Sequence, residues 1–370
     1  MSFLRALEQT LLTIIRTREL LMLAVVSVLF YAVYYPAPYQ QQTATDIALV
    51  VVDADRSPMS RALVRHLSDT RAVFVVVETG NLGEARELVR ARKADGVVYL
   101  APHLQQRVLS RGGGTGIALW LNGAYFVRAE AIGETLGEVA LDALDELAQT
   151  VPAIARQRAP EVLVQPIFTT GGYRDYVFPA VANIILQQTL LAASARLVAD
   201  RRQRGWTVMR RAEALGMLAA AVLVGVLTTG FYFGFVYWAQ GVPRGGNMPG
   251  LLLAIPPFAV AVAGLGMVLG SLFRAGDDAL KVLLPTSLPL LFLGGFAWPL
   301  YAMPQWLATG AWLSPATPAT HLFIRFNQMG ATLAEAWGPF CVMAGLAACY
   351  TAGFLCRVRR LNAEVCTGGA

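Results

Sequence analysis

GLLLAIPPFAVAVAGLGMVLGSL, residues 250–272, is a run of 23 residues without one charged side chain. At the α-helical rise it reaches about 34 Å, enough to cross a hydrocarbon core of roughly 30 Å. A soluble helix needs a polar face, and this run has none, so it reads as a membrane span. Working outward, further apolar runs occur at Leu20–Tyr35, Val177–Val198, Glu213–Tyr237, Leu283–Met303 and Ala336–Cys356. With the opening run they give six expected transmembrane helices. Leu20–Tyr35 is short for the roughly 20 residues a bilayer asks for, with Tyr31, Tyr34 and Tyr35 as an interfacial belt and Pro36 and Pro38 ending the helix. It lacks a small-residue cleavage site and reads as a retained anchor.

Composition agrees and adds a contrast. Apolar residues make up 56% and charged residues 15% of the 370, and the mean hydropathy is +0.51. Yet residues 46–175 hold 16 of the 24 acids and 14 of the 30 basic residues, a net charge of −2 for that block. The block therefore reads as a soluble domain set between the first two spans. The overall charge of +6 lies in short tracts beside apolar runs, which excludes the basic face of a nucleic-acid binder.

Within the block, Ile47–Val52 is a β-rich run ending at Asp53. Ser57-Pro58 then offers a cap and a first-turn proline for a helix. Strands are expected at Val73–Val77, Gly96–Leu100 and Ile117–Leu121, with helices over Leu82–Arg92 and from Pro102 through Leu109. A long helical stretch, Phe126–Arg158, and an extended piece, Glu161–Phe168, follow. Short apolar strands alternating with helices point to an α/β domain with helices on both sheet faces. The fold class expected is thus an α-helical integral membrane protein with six transmembrane helices and an inserted external α/β domain. The organisation is a helix over 1–18 lying at the interface, a first span over 19–38, the external domain over 39–175, the five remaining spans over 176–356 and a tail over 357–370. Basic residues near span ends set the orientation. Arg5, Arg16, Arg18, Arg201, Arg202, Arg204, Arg210, Arg211, Arg274, Lys281, Arg357, Arg359 and Arg360 fall on one side, against Arg244 and Arg325 on the other. Both termini are expected in the cytoplasm of a bacterial inner membrane, with 46–175 outside.

Catalytic chemistry is sparse. Gly112–Gly116 lacks the GK[ST] ending of a phosphate-binding loop and reads as a turn. His66, His103 and His321 are scattered. Asp53 and Asp55 fit a strand-to-helix turn better than a metal pair. Cys341, Cys349, Cys356 and Cys366 read as small buried hydrophobes rather than a redox or metal set. No cofactor is expected in this chain. Polar residues inside spans carry more weight. Asn183 and Gln187 share a helix face, Gln188 lies beside them, and either helix–helix bonding or a transport path fits. Gly266 and Gly270 have small-xxx-small spacing, and Pro285 and Pro289 interrupt the fifth run. No span has a charge at its centre suited to ion coupling, so energy for transport would come from a partner. The two-ended connection Asp200–Arg211, with Asp200, Arg201, Arg202, Arg204, Gly205, Trp206 and Thr207, is the expected contact for an ATPase. An anchor for anionic membrane lipid is the plainer reading of its arginines.

Five segments in order resemble the permease subunits of type 2 ABC exporters, in the branch with a large external domain between the first two spans. They are IALVVVDADRSPMSR (47–61), ADGVVYLAP (94–102), YRDYVFP (173–179), DRRQRGWT (200–207) and LSPATP (313–318). Ala180 stands where glycine is usual, and arginines and Trp206 replace part of an acidic cytoplasmic segment. The resemblance implies two permeases, identical or homologous, driven by cytoplasmic ATP-binding subunits that hold the ATP. It also implies outward movement of a hydrophobic, drug-like, lipid-linked or polymeric substrate, with a periplasmic adaptor and outer-membrane channel as common partners. Competing readings are a membrane-anchored ligand-binding or assembly protein that recruits partners through its external domain, and a membrane enzyme. The first lacks a cytoplasmic output domain. For the second, Asp277 and Asp278 have no third catalytic group beside them.

Overall fold

The computed structural model describes residues 1–37, 47–70, 73–91, 93–94, 96–109, 116–121, 173–242, 244–295 and 300–368. The chain divides into two compact units, one of Met1–Gln40 with Pro166–Ala370, the other of Gln41–Gln165.

The larger unit is a helical bundle. It opens with α1 (Phe3–Arg16), α2 (Arg18–Leu21), a π-helical turn at Met22–Val26 and α3 (Ser27–Tyr34). The smaller unit follows, with β1 (Ile47–Asp53), α4 (Pro58–Asp69), β2 (Val73–Thr79), α5 (Leu82–Arg90), β3 (Gly96–Leu100), α6 (Leu104–Leu109) and β4 (Ile117–Leu121). The bundle then resumes with α7 (Tyr173–Gln203), α8 (Arg211–Phe231), a π turn at Tyr232–Val236, α9 (Tyr237–Ala239) and α10 (Met248–Gly270). Next come α11 (Gly276–Leu283), a 3₁₀ turn at Leu284–Thr286, α12 (Ser287–Leu293), α13 (Gln305–Ala311), α14 (Ala316–Asn327) and α15 (Trp337–Gly368).

Two expectations are corrected here. Among the described residues four helices, not six, are long and apolar enough to cross a membrane: Val177–Gln203, Arg211–Ala239, Met248–Gly270 and Trp337–Thr367. The run at Leu20–Tyr35 lies in a helix that continues through a π turn but extends only over Arg18–Tyr34, shorter than any of these four. The run at Leu283–Met303 is divided by the 3₁₀ turn at Pro285, and α12 ends before Gly295, whose φ of +83° an L side chain rarely adopts.

The inserted alternating α/β domain is corrected as well. The sheet has order β2-β1-β3-β4, with β1 parallel to β2 and β3 but β4 antiparallel to β3. Its centre is dry, with Leu49, Val50, Val51, Val97 and Val98 buried, but Phe74, Val77 and Trp120 on the edge strands are exposed. It is a small mixed sheet, covered on both faces at its central strands but bare at its edges among the described residues. The expected helix at 126–158 and extended piece at 161–168 lie outside the described residues. Locally the sequence signals hold: Ser57 Oγ accepts from Ser60 N at 3.1 Å with Pro58 in the first turn of α4, and Asn81 Oδ1 accepts from Gly83 N at 2.9 Å to start α5.

The bundle is built on α7, whose apolar window is buried along its whole length. Helix α10 lies against it with no room for side chains at the crossing. A methyl group on Gly266 would sit 2.6 Å from the Leu191 carbonyl oxygen and 2.8 Å from Ser194 Cβ, and one on Gly270 would meet the Ala195 backbone. Close approach of this kind replaces the hydrophobic drive that lipid cannot supply. At Gly216 of α8 the missing side chain admits α1, since a methyl there would lie 2.5 Å from the Phe3 carbonyl oxygen and 2.8 Å from Ala6 Cβ. Helix α1 thus buries Ala6 and Ile14, Ile14 packing with Leu20, Ala24, Ala193 and Leu197, and leaves Leu4 and Ile15 bare. Helix α15 is peripheral, with 17% of its apolar window buried. Its four cysteines are exposed, which corrects the expectation that they are buried.

Gly266→Ala is expected to lower the thermal unfolding midpoint of the detergent-solubilised protein, because overpacking costs about 1–3 kcal/mol. Gly230→Ala, which meets nothing within 4 Å, is expected to hold or raise it through helix propensity of about 1 kcal/mol. Equal midpoints for the two variants would contradict the crossing.

Candidate functional site

The polar residues of the bundle gather in two places. The first is the middle of α7. Asn183, Gln187 and Gln188 are all buried. Asn183 Nδ2 donates to the Pro179 carbonyl at 3.0 Å and to Thr320 Oγ1 of α14 at 3.3 Å. Gln187 Oε1 accepts from the Ala316 N–H at 2.6 Å and from Ser314 Oγ at 3.1 Å, which holds the start of α14 against α7. Gln188 turns the other way, and its Nε2 donates to the Leu283 carbonyl at 3.3 Å and to Thr286 Oγ1 at 3.1 Å, where α11 gives way to the 3₁₀ turn. Gln187 and Gln188 thus each meet a helix end, where backbone groups lack intrahelical partners, whereas Asn183 bonds within α7 and to the interior of α14. Asn183 Oδ1 and Gln188 Oε1 have no partner among the described residues.

The second place is the end of the bundle where α7 passes to α8. Helix α7 closes with Arg204 N donating to the Asp200 carbonyl and Gly205 N to the Arg202 carbonyl, both at 3.1 Å. Gly205 has φ +92°, the left-handed conformation that stops a helix. The chain then runs extended to Arg211. Most of the sequence-singled residues turn inward here. Asp200 Oδ2 pairs with Arg196 Nε at 3.3 Å, and Arg196 Nη1 reaches Asp277 of α11 at 2.9 Å. Arg201 donates to Glu213 of α8 at 2.7 Å and to Thr207 Oγ1 at 3.3 Å, its guanidinium 5.7 Å from the Trp206 ring centroid. Arg202 Nη1 donates to the Ser271 carbonyl at 2.6 Å and the Phe273 carbonyl at 3.0 Å, filling acceptors left open where α10 ends. Arg357 of α15 converges on the same residue, Nε to Ser271 Oγ at 3.1 Å and Nη2 to the Ser271 carbonyl at 3.2 Å.

Trp206 is half-buried against the core rather than fully presented, and its Nε1 donates to Asn362 Oδ1 at 3.0 Å. The exposed apolar side chain of the connection is Val208, at 55%. Arg204, Arg210 and Arg211 of the same segment are exposed, and Arg359 and Arg360 are exposed on α15. Asn362 is the residue that sequence reasoning missed. It sits in what reads as a tail but belongs to α15, which runs unbroken to Gly368. An asparagine six positions before the end of a helix has no signature of its own, and its partners lie more than 150 residues away in sequence.

In the smaller unit, Asp53 and Asp55 are consumed by structure. Asp53 accepts from the Asp55 and Arg56 amides and from Ser60 Oγ, and Asp55 accepts from the Leu104 and Gln105 amides at the start of α6. Among the described residues no group of three or more His, Cys, Asp or Glu is placed to hold a metal ion.

Gln187→Leu is expected to destabilise the bundle by roughly 1–3 kcal/mol, since it strands the buried Ala316 N–H. The check is a lower unfolding midpoint than that of Gln240→Leu, a control at the opposite end of α8 and α9 from the basic connection whose Nε2 makes one 3.3 Å bond to the Ala32 carbonyl.

The comparisons with known proteins bear on the whole length. Residues 18–355 match the family model described as ABC-2 family transporter protein. Two curated relatives, each named Probable multidrug ABC transporter permease YbhR, come from Escherichia coli strain K12 and Escherichia coli O157:H7. Each is 20% identical over 342 residues, covering 89% of this chain and 89% of the relative. With a bundle of long apolar helices and a family match from the first helices to the last, the chain belongs to the ABC-2 family of membrane permeases.

Proposed function

We propose that this permease exports a hydrophobic or drug-like substrate, with the connection Asp200–Thr207 and its neighbours to Arg211 receiving a cytoplasmic ATP-binding subunit. The family is not catalytic, and ABC permeases pair in general with ATP-binding cassette subunits and with further permease copies. The drug-like cargo and the outward direction rest on the naming of the relatives as multidrug permeases and on the resemblance to exporters. In this reading the basic end of the bundle faces the cytoplasm of a bacterial inner membrane, both termini with it, and the sheet unit Gln41–Gln165 lies outside. There it serves partners such as a periplasmic adaptor.

One observation carries the docking assignment. The connection is fixed at every inward side chain and bare at its outward ones. Asp200, Arg201, Arg202 and Trp206 bond to α7, α8, α10 and α15, so they hold the segment in place. Arg204, Val208, Arg210 and Arg211 are left exposed, one apolar side chain with cations on either side of it in sequence. That is the arrangement of a small protein contact, an apolar anchor with a charged rim suited to an acidic partner. A lipid anchor needs only the charge.

The test is co-purification of the ATP-binding subunit with the tagged full-length permease from its native membrane. Val208→Asp and Arg204→Glu are each expected to leave the membrane level of the permease unchanged and to weaken association on the order of tenfold, about 1.4 kcal/mol. The Arg204 effect is expected to shrink at high salt. Undiminished association and ATP hydrolysis in both variants would remove the docking assignment.

Orientation has its own check. In a background lacking the four native cysteines, Ser68→Cys is expected to react with an impermeant maleimide from outside, and Gln203→Cys only after permeabilisation. Both positions are exposed. Reaction of position 68 from the cytoplasm alone would reverse the topology.

A further inference from the structure

The segment read from the sequence as a tail is tied to the α7–α8 connection. Asn362 Oδ1 accepts from the Met209 N–H at 3.0 Å, and Asn362 Nδ2 donates to the Met209 carbonyl at 2.8 Å. One side-chain amide thus bonds a backbone residue in both directions, as a neighbouring β-strand would. The same Oδ1 also takes the Trp206 indole N–H at 3.0 Å. Met209 itself is buried, so the bonds are shielded from competing water. A second tie lies five residues back along α15, where Arg357 and Arg202 share the Ser271 carbonyl. The two ties are about 7.5 Å apart along the helix axis, so together they fix both the position and the rotation of the α15 end.

This geometry matters because α15 is otherwise weakly joined to α7 and α8. It packs along α10 and α14, and most of its apolar window faces away from the protein. We propose that Asn362 is a positioning residue that latches the α7–α8 connection to α15, so that a displacement of the connection carries α15 with it. The inference rests on the docking assignment made above. A push delivered to Val208 and Arg204 would otherwise reach α15 only through the shared Ser271 carbonyl. With the latch closed, α15 is joined directly to the α7–α8 connection and shares its displacement. Among the described residues α15 has no such tie at its opposite end, so motion at the basic end becomes a change of tilt for α15.

The experiment uses the full-length permease purified with the ATP-binding subunit that accompanies it. Cys366 is exposed on α15, four residues beyond Asn362, and reports on that helix. The variant is Asn362→Leu, close in volume and without the three bonds. Asn362→Asp keeps both acceptor bonds, loses the donor to Met209, and serves if the leucine variant fails to reach the membrane. Membrane level and subunit association are expected to be unchanged. In the wild type, ATP with vanadate is expected to change the maleimide labelling rate of Cys366. Asn362→Leu is expected to cut that change about threefold or more, with Asn362→Asp between the two. A residue that only stabilised the fold would lower membrane level or association and leave the ATP-dependent change intact in whatever complex remained.

A wild-type labelling rate indifferent to ATP, or a leucine variant that responds as the wild type does, overturns the latch. If Val208→Asp and Arg204→Glu lose association while Asn362→Leu keeps the full response, the latch alone is wrong. If those two variants associate and hydrolyse normally, the docking assignment fails and the latch falls with it.

Discussion

A helix with no exposed face must find every polar partner inside the protein, and α7 is such a helix. Its apolar window is wholly buried, yet it carries Asn183, Gln187, Gln188 and Arg196. In lipid, and equally in a dry bundle, an unmatched amide or guanidinium costs several kcal/mol. That constraint places the neighbours. The start of α14 sits where Gln187 can satisfy Ala316, the end of α11 where Gln188 can reach Leu283 and Thr286, and the beginning of α11 where Arg196 can bridge Asp200 and Asp277. Along its length α10 approaches on glycine, backbone against backbone. Dispersion and close fit serve there in place of hydrogen bonds.

The same constraint explains why the basic end is rigid and still presents charge. Helix ends leave carbonyls without partners, and at the end of α10 two arginines from different helices supply donors to one residue, Ser271. Arg202 and Arg357 are therefore structural cations. Their roles cannot be told from those of Arg204 and Arg360 by counting charges near span ends, because the positive-inside bias weighs all of them alike. The distinction is geometric: some arginines point back into the bundle and terminate helices, while others point away and are left for a partner.

Some of this was legible in the sequence and some was not. Ser57-Pro58 announced the start of α4, the run from Ile47 announced β1, and the Gly266–Gly270 spacing announced a close helix crossing. These are local signals, set by residues a few positions apart. The count of spans failed where local hydropathy and backbone geometry disagree. Leu283–Met303 is apolar enough to cross, but Pro285 removes a ladder hydrogen bond and Gly295 takes a left-handed turn. The sheet was misjudged for a related reason. Apolar strands such as VFVVVET look as if covered on both faces, but β2 is an edge strand and bares Phe74 and Val77. Trp206 was expected to be presented to a partner, because nothing near it in sequence shows that Asn362 takes its indole N–H.

The long-range ties also bear on how a permease without an ion-coupling charge can be driven. Work put in at one end of a bundle does nothing unless the elements there move together and those at the other end move differently. At the basic end, α7, α10 and α15 share Ser271, and Asn362 ties the α7–α8 connection to α15. At the opposite end the bonds pair different elements: Tyr232 with Tyr31, Gln240 with Ala32, and Asn247 with Phe326 and Ala331. Helix α15 has no part in those bonds. The partition of hydrogen bonds therefore divides the bundle into a basic end that α15 shares with α7, α8 and α10 and an outer end that it does not. A packed core has few soft directions, and a rigid tilt about an untied end is among the least costly of them. Tilt of α15 slides along an apolar helix face and loads only the exposed or partly exposed bonds of Arg357 to Ser271 and Tyr350 to Leu313, whereas tilt of α7 would strand the buried Asn183, Gln187 and Gln188. The polar residues buried in α7 thus make it the fixed post of the bundle, and the sparsely buried α15 is the element left able to swing.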